Sequence, residues 1–364
     1  MSKNRSRNKT GGRTAHRSGF VSILGRPNVG KSTLLNALVG AKIAIVADKP
    51  QTTRTTIQGV WTSPETQIVF LDSPGIHDAQ SLINRRMMKA VADALDGRDL
   101  LLYVVDANHA PAEEDRKALE WAKRSDTKAI AVLNKIDLLT NKAALLPLIA
   151  SYQALHEFDL LIPVSAATGE GVEDLRKAIV ERLPAGPAYF PADYLTDQPE
   201  RFLLAEIVRE KILHVTRQEV PHSIAVTIDE WDESPSLAKI SATIHVERAG
   251  QKPIVMGTGA SRLKEIGTAA RLEAEALFGK RIFLKLFVKV SEKWRESEKF
   301  LNELDWRTNY STAEPEADAP APIEVAGSEE PAGAPPLGGK DEIAHIIDAP
   351  ASAGGSGNEH NEEE

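Results

Sequence analysis

Phe20-Val21-Ser22-Ile23-Leu24-Gly25-Arg26-Pro27-Asn28-Val29-Gly30-Lys31-Ser32-Thr33 decides the fold. An apolar run of strand character ends at Leu24. Gly25 then opens a G-x-x-x-x-G-K-S spacing that closes at Ser32, and a helical pattern starts at Thr33. Strand, glycine-rich loop and helix in that order make a phosphate-binding loop. Glycine lets the backbone curl so that successive N–H groups face an anion, and the helix start adds its dipole and unpaired amides. Gly25, Asn28, Val29, Gly30 and Thr33 are assigned to this cradle. Lys31 is expected to reach the outer phosphates, and the Ser32 hydroxyl to ligate Mg²⁺.

Around this loop, from about 18 to 185, short apolar runs alternate with helical patterns. The runs are Phe20–Leu24, Thr66–Asp72, Leu100–Asp106, Ala129–Asn134 and Leu160–Ser165. Such alternation predicts an α/β domain with a mostly parallel sheet covered by helices on both faces. Ligands in such sheets sit at the carboxyl ends of the strands. The three motifs taken next each lie at or just after the end of one of these runs.

Three motifs narrow the nucleotide to GTP. Asp72-Ser73-Pro74-Gly75 follows the second of the runs named above. Asp72 there can hold Mg²⁺ through a water, and the Gly75 amide can meet the γ-phosphate; a plain turn after a strand would read the same way. Asn134-Lys135-Ile136-Asp137 follows the Ala129 run. Guanine offers N1–H and N2–H₂ on one edge, and a carboxylate accepts both, so Asp137 selects guanine over adenine. Asn134 braces the loop and the Lys135 stem covers the base. Ser165-Ala166-Ala167 ends the last strand, where the Ala166 amide can meet guanine O6. Four such motifs in order, each at a strand end, do not arise from turn chemistry alone.

Composition fits a folded chain of two domains. The 364 residues are 42% hydrophobic and 26% charged, and there is no run apolar enough to span a bilayer. The basic, polar N-terminus does not read as a secretory signal. With no cysteine, disulfides and thiolate metal sites are excluded, and the nine histidines lack ligand spacing. The net charge of −8 is segregated. Met1 to Arg17 carries six Lys/Arg and no acid, whereas Ser311 to Glu364 carries thirteen Asp/Glu against one Lys, so the chain without that acidic tail stands at +4. Nucleic acid is one expectation from that asymmetry, and two solvated tails are the other.

The four motifs resemble those of the translation-factor-related GTPases. Gln51-Thr52-Thr53-Arg54 resembles the switch I element of the Era/TrmE branch, in which a threonine closes over Mg²⁺. Thr53 is preferred to Thr52 for that role, and Lys31, Thr53 and Gly75 form the catalytic set. Ile76 stands where Ras-like enzymes carry a water-orienting glutamine, so unaided hydrolysis is expected to be slow. The resemblance to TrmE-like GTPases makes Asn28 a candidate for holding K⁺ beside the phosphates; an asparagine tolerating a tight turn is the alternative.

A second domain is expected over 201–295, behind a stiff Pro-rich linker (186–200) marked by Pro184, Pro187, Pro191 and Pro199. Phe202–Val215 and Ser261–Phe278 read as helices. Ser223–Glu230, Leu237–Glu247 and Arg281–Val290 read as strands. Val255 to Gly267 resembles the helix–loop–helix of a type II KH domain, a smaller α+β fold that clamps single-stranded nucleotides at a G-x-x-G loop. Here Gly257 is followed by Gly259 at the third position and Ala260 at the fourth, and neither interior position is basic. Gly257, Gly259, Arg262 and Lys264 are the RNA-binding candidates. Between Lys239 and Lys289 ten Lys/Arg face four Asp/Glu, which suits a phosphate backbone.

One GTPase domain followed by a KH-like domain resembles the Era family. Pro74-Gly75-Ile76-His77, Ile83-Asn84-Arg85, Tyr189 to Asp197 and Arg209-Glu210-Lys211-Ile212 carry that resemblance too. It implies a GTP/GDP switch with Mg²⁺ that binds 16S ribosomal RNA and assists maturation of the 30S subunit. It further implies a cytoplasmic monomer with peripheral association at the inner membrane. A signalling or membrane-associated GTPase whose second domain binds a protein is the competing reading. A basic disordered segment (1–17), a helical segment (296–310) and a disordered acidic tail (311–364) complete the expected organisation.

Overall fold

The computed structural model describes residues 16–49, 51–76, 81–125, 127–216 and 220–310, with 309 and 310 in backbone only, and the backbone of 345–346. The first unit runs β1 (Arg17–Leu24), α1 (Lys31–Val39), β2 (Ile57–Ser63), β3 (Thr66–Asp72), α2 (Leu82–Leu95), β4 (Leu100–Asp106), α3 (Glu113–Lys123), β5 (Ala129–Asn134), α4 (Leu145–Gln153), β6 (Leu160–Pro163) and α5 (Val172–Arg182). Its six strands are ordered β2-β3-β1-β4-β5-β6, parallel except for β2 against β3. Strands β3, β4 and β5 are buried along their whole length, which is why they read as unbroken apolar runs. Helices α1 and α5 pack on one face, with Leu34, Leu35, Leu175 and Ile179 fully buried. Helices α2, α3 and α4 cover the other through Val91, Leu119 and Leu148. The carboxyl ends of β1, β3, β4, β5 and β6 share one edge, where the site is built.

Strand β2 is not among the runs that the sequence pattern singles out. Gly59 interrupts its pattern because Ile43 passes so close that a Cβ there would lie 2.5 Å from Ile43 Cδ1. The Pro-rich stretch is extended, as expected, yet it is a strap on the sheet rather than a free spacer. Val60 N–H donates to Leu195 O at 2.8 Å, and Thr196 Oγ1 to Gln58 O at 2.8 Å. The Gln67 amide receives Tyr189 N and Phe190 N and donates to Phe190 O. At the other end, Arg17, the last residue of the expected disordered segment, instead belongs to β1, and its guanidinium donates to Leu183 O at 2.6 Å.

The second unit comprises α6 (Glu200–Val215), β7 (Ile224–Glu233), β8 (Ala238–Val246), α7 (Lys252–Met256), α8 (Ser261–Phe278) and β9 (Ile282–Val290). Strand β8 pairs antiparallel with β7 and parallel with β9, and α6 and α8 bury their apolar stripes on this sheet. Burial alternates along β9, with Ile282, Leu284, Leu286 and Val288 turned inward and Lys289 exposed. The chain continues through α9 (Glu298–Leu304) and α10 (Trp306–Tyr310). Trp294, 1% exposed, packs with Ile83 and Met87 of α2, which fastens this segment to the first unit. Of the expected tails, 1–17 and 311–364, residues 1–15 and 311–364 lie outside the described residues, apart from β10 (His345–Ile346), which pairs antiparallel with β9.

Candidate nucleotide site and RNA-facing loop

The phosphate-binding loop takes its shape from left-handed residues. Asn28 has φ 63° and Gly30 φ 93°. A side chain at Gly30 would put its Cβ 2.4 Å from Asn134 Nδ2, so that position must be glycine. Lys31 is buried and donates to Gly25 O and Arg26 O, both at 3.1 Å. Burial lowers its pKa to about 8, opposed by Asp72 and reinforced by Arg26. An incoming polyphosphate would supply the counter-charge this ammonium lacks.

Three oxygens from three segments meet beside it. Ser32 Oγ donates to Asp72 Oδ2 at 2.6 Å and lies 2.8 Å from Thr53 Oγ1. Asp72 is wholly buried, and its Oδ1 has no hydrogen-bond partner among the described residues. Burial raises the Asp72 pKa to about 6, against the pull of Lys31, Ser32 and Thr53. Two hydroxyls and a carboxylate with an orphaned oxygen are hard donors, and they fit Mg²⁺. Among the described residues no cluster of three His or acidic side chains could hold a metal by itself. That suits an ion sharing its shell with phosphates and water. Thr52, the alternative to Thr53, turns its hydroxyl away to Lys49 O (2.6 Å) and Ala47 O (3.2 Å).

The Asp72–Gly75 turn is pinned to the phosphate loop. Ser73 Oγ donates to Ile23 O at 2.8 Å, and a Cβ on Gly75 would stand 2.9 Å from Pro27. Pro74 and Gly75 are buried there. Ile76 packs against the apolar cluster of α3 and α4, so this position offers no polar group to a water.

The base-recognition side is cross-braced. Asn134 donates from Nδ2 to Val29 O (2.8 Å) and accepts Ala166 N–H on Oδ1 (3.0 Å), tying the phosphate loop to the last strand's loop. Ser165 Oγ donates to Asp137 Oδ1 at 2.6 Å and receives Thr168 N–H, which orients the carboxylate. Lys135, at φ 68°, reaches Asn28 O (2.6 Å) and Asp106 Oδ2 (3.0 Å). The Ala166 amide departs from expectation. Its N–H is already given to Asn134, so it could meet a base carbonyl only as a shared donor, and Ala167 is the next backbone position. Thr33, in the first turn of α1, lines the phosphate-side cleft together with Lys31, Ser32 and Thr53.

Asp106 belongs to the site, although the motifs read from the sequence do not include it. Burial raises its pKa, but bonds from Asn108 and Lys135 outweigh that and leave it below the usual carboxylate range. An acid closing an apolar run, as Asp72 does, is the signal that points to it. Asp115 is a second such residue: it holds Arg26 of the phosphate loop at 3.0 Å from α3.

In the second unit, α7 ends in a turn at Gly257 (φ 71°), Gly259 (φ 56°) and Ala260 (φ 60°) before α8. A Cβ on Gly257 would lie 2.8 Å from Arg262 Cβ, whereas Gly259 faces open space. Ala260 is buried in a left-handed conformation that costs an L-residue about 1–2 kcal/mol. The loop thus keeps its glycine-type backbone without a glycine at its fourth position. Arg262 and Lys264 follow on the first turn of α8, with Arg262 reaching Ile254 O.

Known proteins match this layout in both units. A model described as 50S ribosome-binding GTPase matches residues 20–135, and a KH domain model matches 219–295. GTPase Era of Geobacter metallireducens is 48% identical over 292 residues, covering 80% of this chain and 98% of the relative. GTPase Era of Syntrophus aciditrophicus is 49% identical, covering 80% and 95%. Two crystal structures align at a TM-score of 0.77 and 39% identity over 79% of this chain and 98% of theirs. One is an Aquifex aeolicus Era variant bound to GDP·AlF4⁻, and the other is Era with MgGDPNP and nucleotides 1506–1542 of 16S ribosomal RNA. With a phosphate loop, a guanine-type carboxylate and a KH domain on one chain, and relatives matched nearly end to end, this protein belongs to the Era family of GTPases.

Proposed function

We propose that this GTPase is a switch that binds the 3′ region of 16S ribosomal RNA through its second domain and assists 30S subunit maturation. One observation carries the reading most directly: the Ser32, Thr53 and Asp72 oxygens converge at the end of a phosphate loop. When bound with GTP, Mg²⁺ there neutralises charge on the β- and γ-phosphates. Ser32 and Thr53 would ligate it, with Asp72 acting through water. Lys31 and the amides of Asn28 to Thr33 would hold the phosphates, and the Gly75 amide the γ-phosphate. Asp137, oriented by Ser165, would accept guanine N1–H and N2–H₂, with Lys135 over the base and Ala166 or Ala167 near O6. Ile76 supplies no water-orienting group, so hydrolysis is slow unless a cation, K⁺ held near Asn28, or a partner contributes.

The RNA reading rests on the KH match, on the basic excess around the 257–264 turn and on the related Era seen with a 16S fragment. Gly257 and Gly259 would admit the RNA backbone, with Arg262 and Lys264 neutralising phosphates. The division into a GTPase domain (18–185), strap (186–200) and KH domain (201–295) is part of this proposal, as are a monomeric state and a cytoplasmic location. Contact with the inner membrane would be peripheral, since no described helix is long and apolar enough to cross it. Crosslinking in cells and sequencing of the attached RNA tests the reading. Reads should pile up at the 16S 3′ end, and a profile dominated by protein adducts would favour the competing assignment.

A further inference from the structure

The segment that carries Thr53 is held from outside by the second domain. Glu210 of α6, 1% exposed, accepts Val46 N–H on Oε1 at 2.7 Å and Lys42 Nζ on Oε2 at 2.7 Å. Its neighbour Arg209, 2% exposed, donates to Thr52 O, one residue before Thr53. His214, one turn on, meets Val46 O at 2.9 Å. From the other side, Arg54 donates to Ile224 O at 2.6 Å at the start of β7. Thus one face of this segment presents a hydroxyl to Ser32 while the other is bonded to α6 and β7.

The same residues reach the RNA-facing helix. Lys42 and Lys211, both paired with Glu210, are also both paired with Glu273 of α8. Helix α8 begins at the 257–260 turn and carries Arg262 and Lys264. Hydrogen bonds from the 46–52 stretch to Arg209 and Glu210, and ion pairs from Glu210 through Lys42 and Lys211 to Glu273, therefore link the stretch that leads into Thr53 with the helix below the RNA loop. Glu210 titrates below the ordinary carboxylate range: burial opposes this, but bonds from Lys42, Val46 and Lys211 prevail, so it stays an anion.

We infer that Arg209 and Glu210 are positioning residues that lock the Thr53 segment against the second domain and so couple nucleotide state to RNA affinity. This deepens the proposed function and rests on it. Movement of Thr53 away from Ser32 must break or drag bonds to α6, so the two states of the segment present different contacts to the RNA-binding unit. Coupling is reciprocal: the factor by which GTP changes RNA affinity equals the factor by which RNA changes GTP affinity.

The test measures the affinity of the full chain for an RNA of nucleotides 1506–1542 of 16S rRNA with GDPNP and with GDP, and the affinity for each nucleotide with and without that RNA. The intact protein should show the same ratio in both directions, roughly 5-fold or more. Glu210→Gln, which removes the charge and keeps the shape, and Arg209→Met should bring both ratios to about 1 while RNA binding in GDP persists. A merely structural role would lower the melting temperature and leave the ratios alone. Lys42→Ala with His214→Ala, at partly exposed positions, provides a second pair should the buried variants fail to fold. Variants that keep the wild-type ratio overturn the inference. Wild-type protein with no affinity for the RNA in either state would instead overturn the RNA reading beneath it, and the inference with it.

Discussion

The Thr53 hydroxyl lies 2.8 Å from the Ser32 hydroxyl, which itself bonds Asp72 at 2.6 Å, so residues from three separate segments place their oxygens around one point. Thr52, next in sequence, faces the other way into the carbonyls of its own loop. Thr53→Ala is expected to weaken the Mg²⁺-dependent affinity for GDPNP by about 10- to 100-fold with little effect on GDP. Thr52→Ala should leave that dependence nearly unchanged. Mg²⁺ titrations at fixed nucleotide distinguish the two, and equal effects would return the assignment to either threonine.

Asn28 takes a left-handed turn and gives its carbonyl to Lys135, so its backbone has a structural task whatever its side chain does. If the side chain helps hold K⁺, GTP turnover in KCl should exceed that in NaCl at matched ionic strength, and Asn28→Ala should abolish the difference. Equal rates in the two salts would leave Asn28 with the turn alone.

Ala260 keeps the 257–260 turn, the proposed RNA site, in a glycine-type conformation, and Arg262 and Lys264 sit just beyond it. Arg262→Glu with Lys264→Glu should weaken RNA binding and reduce its dependence on log salt by about 1 for each phosphate no longer neutralised. Basal GTP hydrolysis should stay as in the wild type. Retained RNA affinity would move the site to another face.

His245 is 7% exposed between Thr227 Oγ1 and Ser291 Oγ, each at 2.9 Å. Burial, aided by Lys289 and opposed by Asp229, lowers its pKa to about 4. The unfolded chain takes up this proton near pH 6.5, before the folded one does. The neutral imidazole therefore contributes no pH-dependent loss above 6.5, and stability falls as pH drops from 6.5 to 4. The ceiling is about 3 kcal/mol at 1.36 kcal/mol per pKa unit. Urea unfolding across that range checks this, with His245→Gln expected to flatten the slope.

Much of the nucleotide site is legible in the sequence because its chemistry is local. Gly30, Lys31 and Ser32 are consecutive, Asp72 and Asn134 each end an apolar run that folds as a buried strand, and Ser165 follows the half-buried β6. The bracing role of Asn134 is readable for the same reason. What escapes a reading along the chain depends on docking between distant stretches. Nothing near Val46 announces a bond to Glu210, 164 residues away, and the Tyr189–Thr196 strap gives no sign that Gln67 and Val60 will hold it. Arg209 and Glu210 read only as part of a helix with a familiar pattern; their burial, not their spacing, reveals their task. The Ala166 amide looks free in its tripeptide because its acceptor, Asn134, comes from another strand.

The proposed guanine recognition turns on Asp137, whose carboxylate accepts the Ser165 hydroxyl at 2.6 Å. Competition binding with GTP, XTP and ATP against wild type and Asp137→Asn tests it most directly. Wild type should prefer GTP over ATP and XTP, and the variant should lose at least about 10-fold in GTP affinity while gaining XTP binding. Wild-type protein that holds ATP as firmly as GTP, or a variant with unchanged selectivity, would contradict the account.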